Sequence, residues 1–161
     1  MRGIFDKIYI GSDHAAADAK MILADYLREK GVEVTVLGSK NGQDLIQFSD
    51  VAEEVALAVA GDEKEETGGI LMCGNGVGMS IASNKVPGIR AALCNELFTA
   101  KYAKRDTHIN ILCMGARVIA PRLMEEITDV WRLQAYEGGR FDERLAKFKL
   151  MEAKYLREDL A

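Results

Sequence analysis

No run in this chain is long and apolar enough to cross a bilayer, and residues 1–10 hold only a short apolar stretch broken by Asp6 and Lys7. Neither a membrane span nor a signal peptide is expected, which makes the cytoplasm the expected location. An excess of basic charge is also missing: 21 Lys and Arg against 25 Asp and Glu leave a formal net charge of -4. A nucleic-acid or anionic-membrane partner would call for a basic face, so neither is expected, and any anionic ligand must be met by a few placed arginines. Cysteine is scarce. Cys73, Cys94 and Cys113 are an odd number with no Cys-x-x-Cys spacing, a pattern of reduced thiols rather than of a disulfide framework or a zinc site. At least one is a candidate reactive thiol. Internal repeats and low-complexity segments are absent as well.

What the chain does have is apolar material. Of 161 residues, 48% are hydrophobic, enough to bury the core of one compact domain spanning residues 1–161. Short β-branched or apolar runs alternate with longer segments of helical period, the signature of an α/β fold with a parallel sheet wrapped by crossover helices. Five strands are expected, at residues 7–10, 33–37, 68–72, 90–93 and 110–114. The first helix is expected over 15–30, with Met21, Ile22, Leu23, Tyr26 and Leu27 on its apolar face and Gly31 as its stop. Asp50 and Glu53 are spaced as a capping box for a helix running to about 60. Further helices are expected near 79–85, 96–105 and 121–135, the last with Pro121 in its first turn. From Phe141 onward, Leu145, Phe148, Met151, Tyr155 and Leu156 fall on one side of a charged helix. That helix comes after a completed sheet, so its stripe packs either on a partner subunit or on its own domain.

Cys73-Gly74-Asn75-Gly76-Val77-Gly78 follows the third strand and opens the next helix. In open parallel sheets, ligands bind beyond the carboxyl ends of the strands, where helix N-termini expose unpaired amides. Three glycines let the backbone approach a ligand closely, so the amides from Gly74 to Gly78 can hold a phosphate or an enediolate oxygen. Glycine-rich turns also serve nucleotides or tight packing; the cysteine sharpens the reading, because a thiol at a helix N-terminus can act as nucleophile or general base. The plain alternative is a buried structural cysteine. A nucleotide site is disfavoured: the loop follows the third strand, its spacing is not Gly-x-Gly-x-x-Gly, and no Gly-Lys-Ser/Thr occurs.

Gly11-Ser12-Asp13-His14 at the end of the first strand puts a carboxylate and an imidazole on the same rim. Asp13 can accept from ligand hydroxyls, and His14 can bind a phosphate or move a proton; Ser12 and Asp13 also suit the cap of the first helix. Arg117 stands just after the fifth strand, and Arg140 and Arg144 are four apart. On one helix face these two can fork a phosphate together, or instead bridge Glu137 and Glu143.

GSDHA at the first strand, GGILMCGNGVGMSIASNKVPGIRAALC in the middle, MGARVI after the fifth strand and YEGGRFDERL near the end resemble, in order and spacing, one family. It comprises ribose-5-phosphate isomerase B and the galactose-6-phosphate isomerase subunits. The resemblance implies a Rossmann-like three-layer αβα sandwich on a five-stranded parallel sheet. It also implies a homodimer, with tetramers open, whose active sites lie at the subunit interface, a segment of about 141–161 packing on the partner, and no metal or cofactor. The implied reaction is aldose-ketose isomerisation of a phosphorylated sugar, foremost ribose 5-phosphate. Cys73 would carry a proton between C1 and C2 through a cis-enediolate, with the amides of Gly74, Gly76, Val77 and Gly78 holding the oxyanion. Asp13 would bind sugar hydroxyls, and His14, Arg117, Arg140 and Arg144 the phosphate, some from the neighbouring subunit.

The chain departs from that pattern at three places. Relatives carry a His-Asn pair before the fifth strand, whose histidine opens the furanose ring while the asparagine contacts the substrate; here the positions read Asp106-Thr107, with His108 two residues beyond Asp106. Either Asp106 takes over the ring-opening proton transfer, or His108 is redirected to it, or the substrate arrives with an open chain. Asn75 stands where threonine is usual, and Leu45-Ile46-Gln47-Phe48-Ser49 where relatives have Asp-Tyr-Pro. Cys73, Asn75 and Asp106 are therefore the candidate catalytic residues, and Thr107 joins the candidate binding residues. Galactose 6-phosphate, allose 6-phosphate and a four-carbon sugar phosphate stay open as substrates. So does a non-catalytic sugar-phosphate-binding protein, against which the presence of Cys73 counts.

Overall fold

The computed structural model describes residues 4–62 and 67–155. Strands β1 (Lys7–Ser12), β2 (Glu33–Gly38), β3 (Thr67–Cys73), β4 (Ala91–Leu93) and β5 (Ile111–Gly115) form a five-stranded sheet in the order β2-β1-β3-β5-β4. Every pairing is parallel. Helices α1 (Ala17–Glu29), α2 (Phe48–Gly61), α3 (Val77–Ser83) and α4 (Leu97–Thr107) connect the strands, and α5 (Pro121–Leu133) and α6 (Asp142–Tyr155) come after them. Parallel neighbours need a crossover, and the crossover helices cover both faces, so the central strands β3 and β5 read as continuous apolar runs. All seven residues of β3 are buried.

Alternation along the strands divides the core into two layers. Ile8, Ile10, Ile70, Met72 and Leu112 meet Leu23, Leu27, Met124, Ile127 and Trp131 of α1 and α5. On the other face Leu71, Cys73, Ile111 and Cys113 meet Val51, Val55 and Met79 of α2 and α3. The expected αβα sandwich is present. Its strand order reverses between β1 and β3, the place where an open sheet leaves a crevice beyond its carboxyl ends.

Several local expectations differ from the structure. The buried face of α1 is Ala17, Lys20, Leu23, Ala24 and Leu27, while Met21 and Ile22 are 38% and 47% exposed. The stripe passes through Lys20 because that residue lies three before Leu23 on the helix. Helix α2 begins at Phe48 with Gln47 as an uncapped N-terminal residue, so Asp50 does not form the capping box. It sits in the first turn instead, where a carboxylate suits the dipole. Asp13 does act as a cap: its Oδ1 accepts from the Ala15 amide at 2.9 Å and starts a 3₁₀ turn, His14–Ala16, before α1. A second 3₁₀ turn, Gly139–Phe141, leads into α6, none of whose described side chains is buried. Of the expected stripe Leu145 is half-buried, while Phe148, Met151 and Tyr155 are 40%, 49% and 62% exposed, so the chain's own body leaves most of it open; Leu156 lies outside the described residues. No helix among the described residues is long and apolar enough to cross a membrane.

Helix α4 buries a lysine completely. Lys104 is 0% exposed, its Nζ has no hydrogen-bond partner among the described residues, and it stands 3.5 Å from the centroid of the Phe5 ring. Burial, and after it the nearby Arg90, pushes its pKa from the ordinary 10.5 down to about 7. The ring's negative face offsets part of the desolvation cost. Between these two pKa values the unfolded chain binds the proton more tightly, so stability rises with pH across that window. Lys104→Met is expected to stabilise the fold at neutral pH by about 1–2 kcal/mol and to remove the rise. Urea unfolding of both proteins at neutral and alkaline pH measures this; a less stable variant would contradict it.

Candidate functional site

β1 and β3 leave the sheet side by side, since Ser12 pairs with Met72, and Cys73 pairs in turn with Gly115 of β5. Asp13, Cys73 and the residues after Gly115 therefore share the carboxyl rim at the reversal of strand order. Here the chain brings together Asp13, His14, the loop from Cys73 to Gly78, and Arg117. Asp13 is 8% exposed and uses Oδ1 for the turn. Among the described residues the buried Nδ1 of His14 has no partner, and polar atoms inside proteins usually find one in protein, water or ligand.

The loop is shaped by glycine where nothing else fits. Gly76 is left-handed (φ +81°), and a Cβ there would stand 2.5 Å from Leu93 Cδ1 and 2.9 Å from the carbonyl carbon of Met114. This turn directs the Gly76 amide at Cys73 Sγ, 3.1 Å away, while the thiol reaches Asn75 Oδ1 at 4.0 Å. The same Asn75 oxygen accepts from the Val77 amide at 3.0 Å and closes the turn that leads into α3. Two of the expected ligand-holding amides, those of Gly76 and Val77, are thus engaged within the loop. Among the described residues none bonds to the amides of Gly74, Asn75 or Gly78. The Ala116 and Arg117 amides donate to the Cys73 and Gly74 carbonyls, each at 2.9 Å, and the Arg117 side chain runs beside Gly74.

The other two thiols sit deeper. Burial, then Glu96, pushes Cys94 up to about 12, and burial drives Cys113 higher still, so both remain inert thiols at neutral pH. Cys73, 7% exposed, is the cysteine at the rim. Among the described residues no cluster of three or more His, Cys, Asp or Glu side chains is placed to hold a metal ion.

The remaining candidates lie elsewhere. α4 and α5 run back against the strand direction, so their ends lie at the amino rim. β3 has seven residues, which puts that rim about 20 Å from Cys73. Asp106 is held by Arg105 Nε at 2.6 Å, and Arg105 also pairs with Glu137 at 3.2 Å. Thr107 Oγ1 donates to the Ala103 carbonyl at 2.6 Å. Arg140 and Arg144 stand over one ring, Phe141, at 4.7 and 5.0 Å, and neither is ion-paired among the described residues. Glu137, one of the two carboxylates offered as alternative partners for this pair, is taken by Arg105.

His108 lies at the amino rim, away from Cys73. It ends α4 in the left-handed conformation (φ 49°) and stacks on Tyr136, ring centroids 4.6 Å apart and 10° between planes. Burial first, then Lys104 and Arg90, pushes it down to about 4, so its imidazole is neutral at physiological pH. With Arg90, Tyr136 and Phe148 it walls a cavity of about 690 Å³ at the amino rim, under α6. A single chain therefore joins Cys73, Asp13, His14 and Arg117, and does not bring Asp106, Thr107, Arg140 or Arg144 to them. Sequence reasoning alone misses Lys20, whose only signal is its place on the buried stripe of α1.

Comparison with known proteins supplies the context. The profile of a family described as Ribose/Galactose Isomerase matches residues 8–148. The chain is 40% identical over 146 residues, 91% of its length and 96% of the relative's, to ribose-5-phosphate isomerase B of Escherichia coli. It is 43% identical over 133 residues, 82% and 86% of the two chains, to a D-erythrulose-4-phosphate isomerase of Pectobacterium atrosepticum. The solved structure of ribose-5-phosphate isomerase B from Clostridium thermocellum superposes with a TM-score of 0.88 at 40% identity, covering 92% of this chain and 99% of that one.

Gly76→Ala is expected to destabilise the protein by about 2 kcal/mol or more, since the left-handed backbone alone costs a side chain roughly 1–2 kcal/mol. Gly74→Ala, whose Cβ would meet only the Arg117 side chain at 3.5 Å or beyond, should stay within about 0.5 kcal/mol. Urea midpoints compare the two, and equal losses would contradict the loop geometry.

Proposed function

Because the chain belongs to the Ribose/Galactose Isomerase family, we propose that this isomerase interconverts ribose 5-phosphate and ribulose 5-phosphate at a site completed by a second copy of the chain. The observation that carries the reading is the thiol of Cys73, presented at the crevice between β1 and β3 with the Gly76 amide 3.1 Å from its sulfur.

The chemistry needs a base at carbon and dipoles at oxygen, because a proton next to a carbonyl is only weakly acidic. Cys73, as the thiolate, takes the proton from C2 of the open-chain aldose. The electron pair moves into a C1–C2 double bond, giving a cis-enediolate. The thiol then returns the proton to C1, while the hydroxyl proton passes from O2 to O1. The open amides of Gly74, Asn75 and Gly78, with the Asn75 side chain, face the developing oxyanion, and such donors are worth about 3–4 kcal/mol each. Asp13 binds sugar hydroxyls. His14 and Arg117 hold the phosphate, joined by Arg140 and Arg144 of the second copy, whose Asp106 and Thr107 close the sugar side. No metal or cofactor takes part. The reaction suits a cytoplasmic enzyme of the pentose phosphate pathway.

One observation favours a second substrate. Asp106, at the ring-opening position, is ion-paired 2.6 Å from Arg105, a guanidinium that does not give up protons. A four-carbon aldose phosphorylated on O4 has no hydroxyl left to close a furanose ring and needs no such group. The relative named for D-erythrulose 4-phosphate fits that alternative.

The test uses purified protein with a chelator and a panel of aldose phosphates, following ketose formation and solvent deuterium uptake at C2. Ribose 5-phosphate is expected to turn over, with Cys73→Ala lowering kcat about a thousandfold. Turnover of the tetrose phosphate alone would select the second substrate; binding without exchange would reduce the protein to a sugar-phosphate sensor.

A further inference from the structure

A fully buried ammonium is a costly thing to keep, and a methionine of similar length would pack at less cost. Lys20 on α1 is 1% exposed, burial lowers its pKa, and among the described residues no carboxylate lies within ion-pair distance. What it holds is backbone: its Nζ donates to the Leu37 carbonyl at 2.8 Å and to the Ser39 carbonyl. Those carbonyls belong to the exit of β2, which is pressed onto the exit of β1. Gly38 is left-handed (φ +76°), and a Cβ there would stand 2.4 Å from the Ser12 carbonyl oxygen. The Ser39 amide donates to that same oxygen at 2.9 Å. Further along the loop, a Cβ on Gly42 would stand 3.7 Å from the His14 carbonyl oxygen.

We propose that Lys20 is a positioning residue for substrate binding: by clamping the loop of residues 38–44 from beneath, it braces the β1 exit that presents Asp13 and His14. The proposal rests on the functional reading above, in which those two residues hold the sugar and its phosphate. Removing the ammonium takes the side-chain donor from both carbonyls and frees the loop, without touching the thiol or its amides. The loss therefore falls on uniform binding and appears in KM.

Lys20→Met is expected to raise KM for the sugar phosphate about tenfold with kcat within about twofold of wild type. Hydrogen exchange at the Ser39 amide should speed up in parallel. Ser39→Ala, which removes the hydroxyl bonds to the Asn41 and Asp44 carbonyls, loosens the same loop should Lys20→Met fail to fold; it is expected to raise KM in the same way by a smaller factor. A merely structural lysine would lower the active fraction, and so kcat, with KM unchanged. That result, or an unchanged KM in the folded variant, overturns the proposal. A wild-type protein that turns over no sugar phosphate removes the functional reading itself, and the proposal with it.

Discussion

Between the exits of β3 and β5 there is no room for a side chain. A Cβ on Gly115 would stand 2.7 Å from Asn75 Cα, and one on Gly76 would strike Leu93 and the backbone of Met114. The two backbones lie in contact, tied by the Ala116 and Arg117 amides to the carbonyls of Cys73 and Gly74, with Asn95 receiving the Gly115 amide at 3.1 Å. Under that constraint the chain leaving β3 must turn left-handed at Gly76, and this turn aims an amide at the sulfur. The placement of the thiol is thus set by two glycines, neither of which has a side chain to offer. Behind it, the seven buried residues of β3 hold the strand in the centre of the sheet.

The same parallel topology divides the site. Strand exits gather at one rim, and helices that return to start the next strand end at the other. Thiol, carboxylate, imidazole and Arg117 come from exits; Asp106, Thr107 and the arginine pair over Phe141 come from returns. A strand's length separates them, so in the proposed reading a substrate that needs both groups bridges two chains. The uncovered stripe on α6, next to the arginine pair, is consistent with that arrangement. At the amino rim His108, neutral at physiological pH, is stacked on Tyr136.

Much of this was legible in the residues. The fully buried central strands read as apolar runs, GGILM and NILCM, and the short β-branched runs KIYI and EVTVL stood beside them, so the sheet was marked to within a residue or two. The rule that ligands sit beyond strand ends then located the Cys73 loop and Asp13-His14. What stayed hidden depended on tertiary contact. The apolar residues Met21 and Ile22 suggested one face of α1, whereas the core took the stripe through Lys20, because the ammonium found carbonyls there. The departures at Asp106 and Thr107 were visible, but their distance from Cys73 was not, since motif order carries no information about which rim a residue reaches. Asp106's capture by Arg105 and His108's stack on Tyr136 likewise needed coordinates.

The central claim, a thiol from one chain working with arginines from another, is tested most directly by a hybrid. One chain would carry Cys73→Ala and the other Arg140→Ala with Arg144→Ala, co-expressed with different tags and assayed at substrate well below KM. Each variant alone is nearly inactive in this account, yet the mixed dimer regains one intact site of two, about half the wild-type rate per dimer. A purified hybrid no more active than its parents would show that thiol and arginines serve the substrate from the same chain, and would contradict the account.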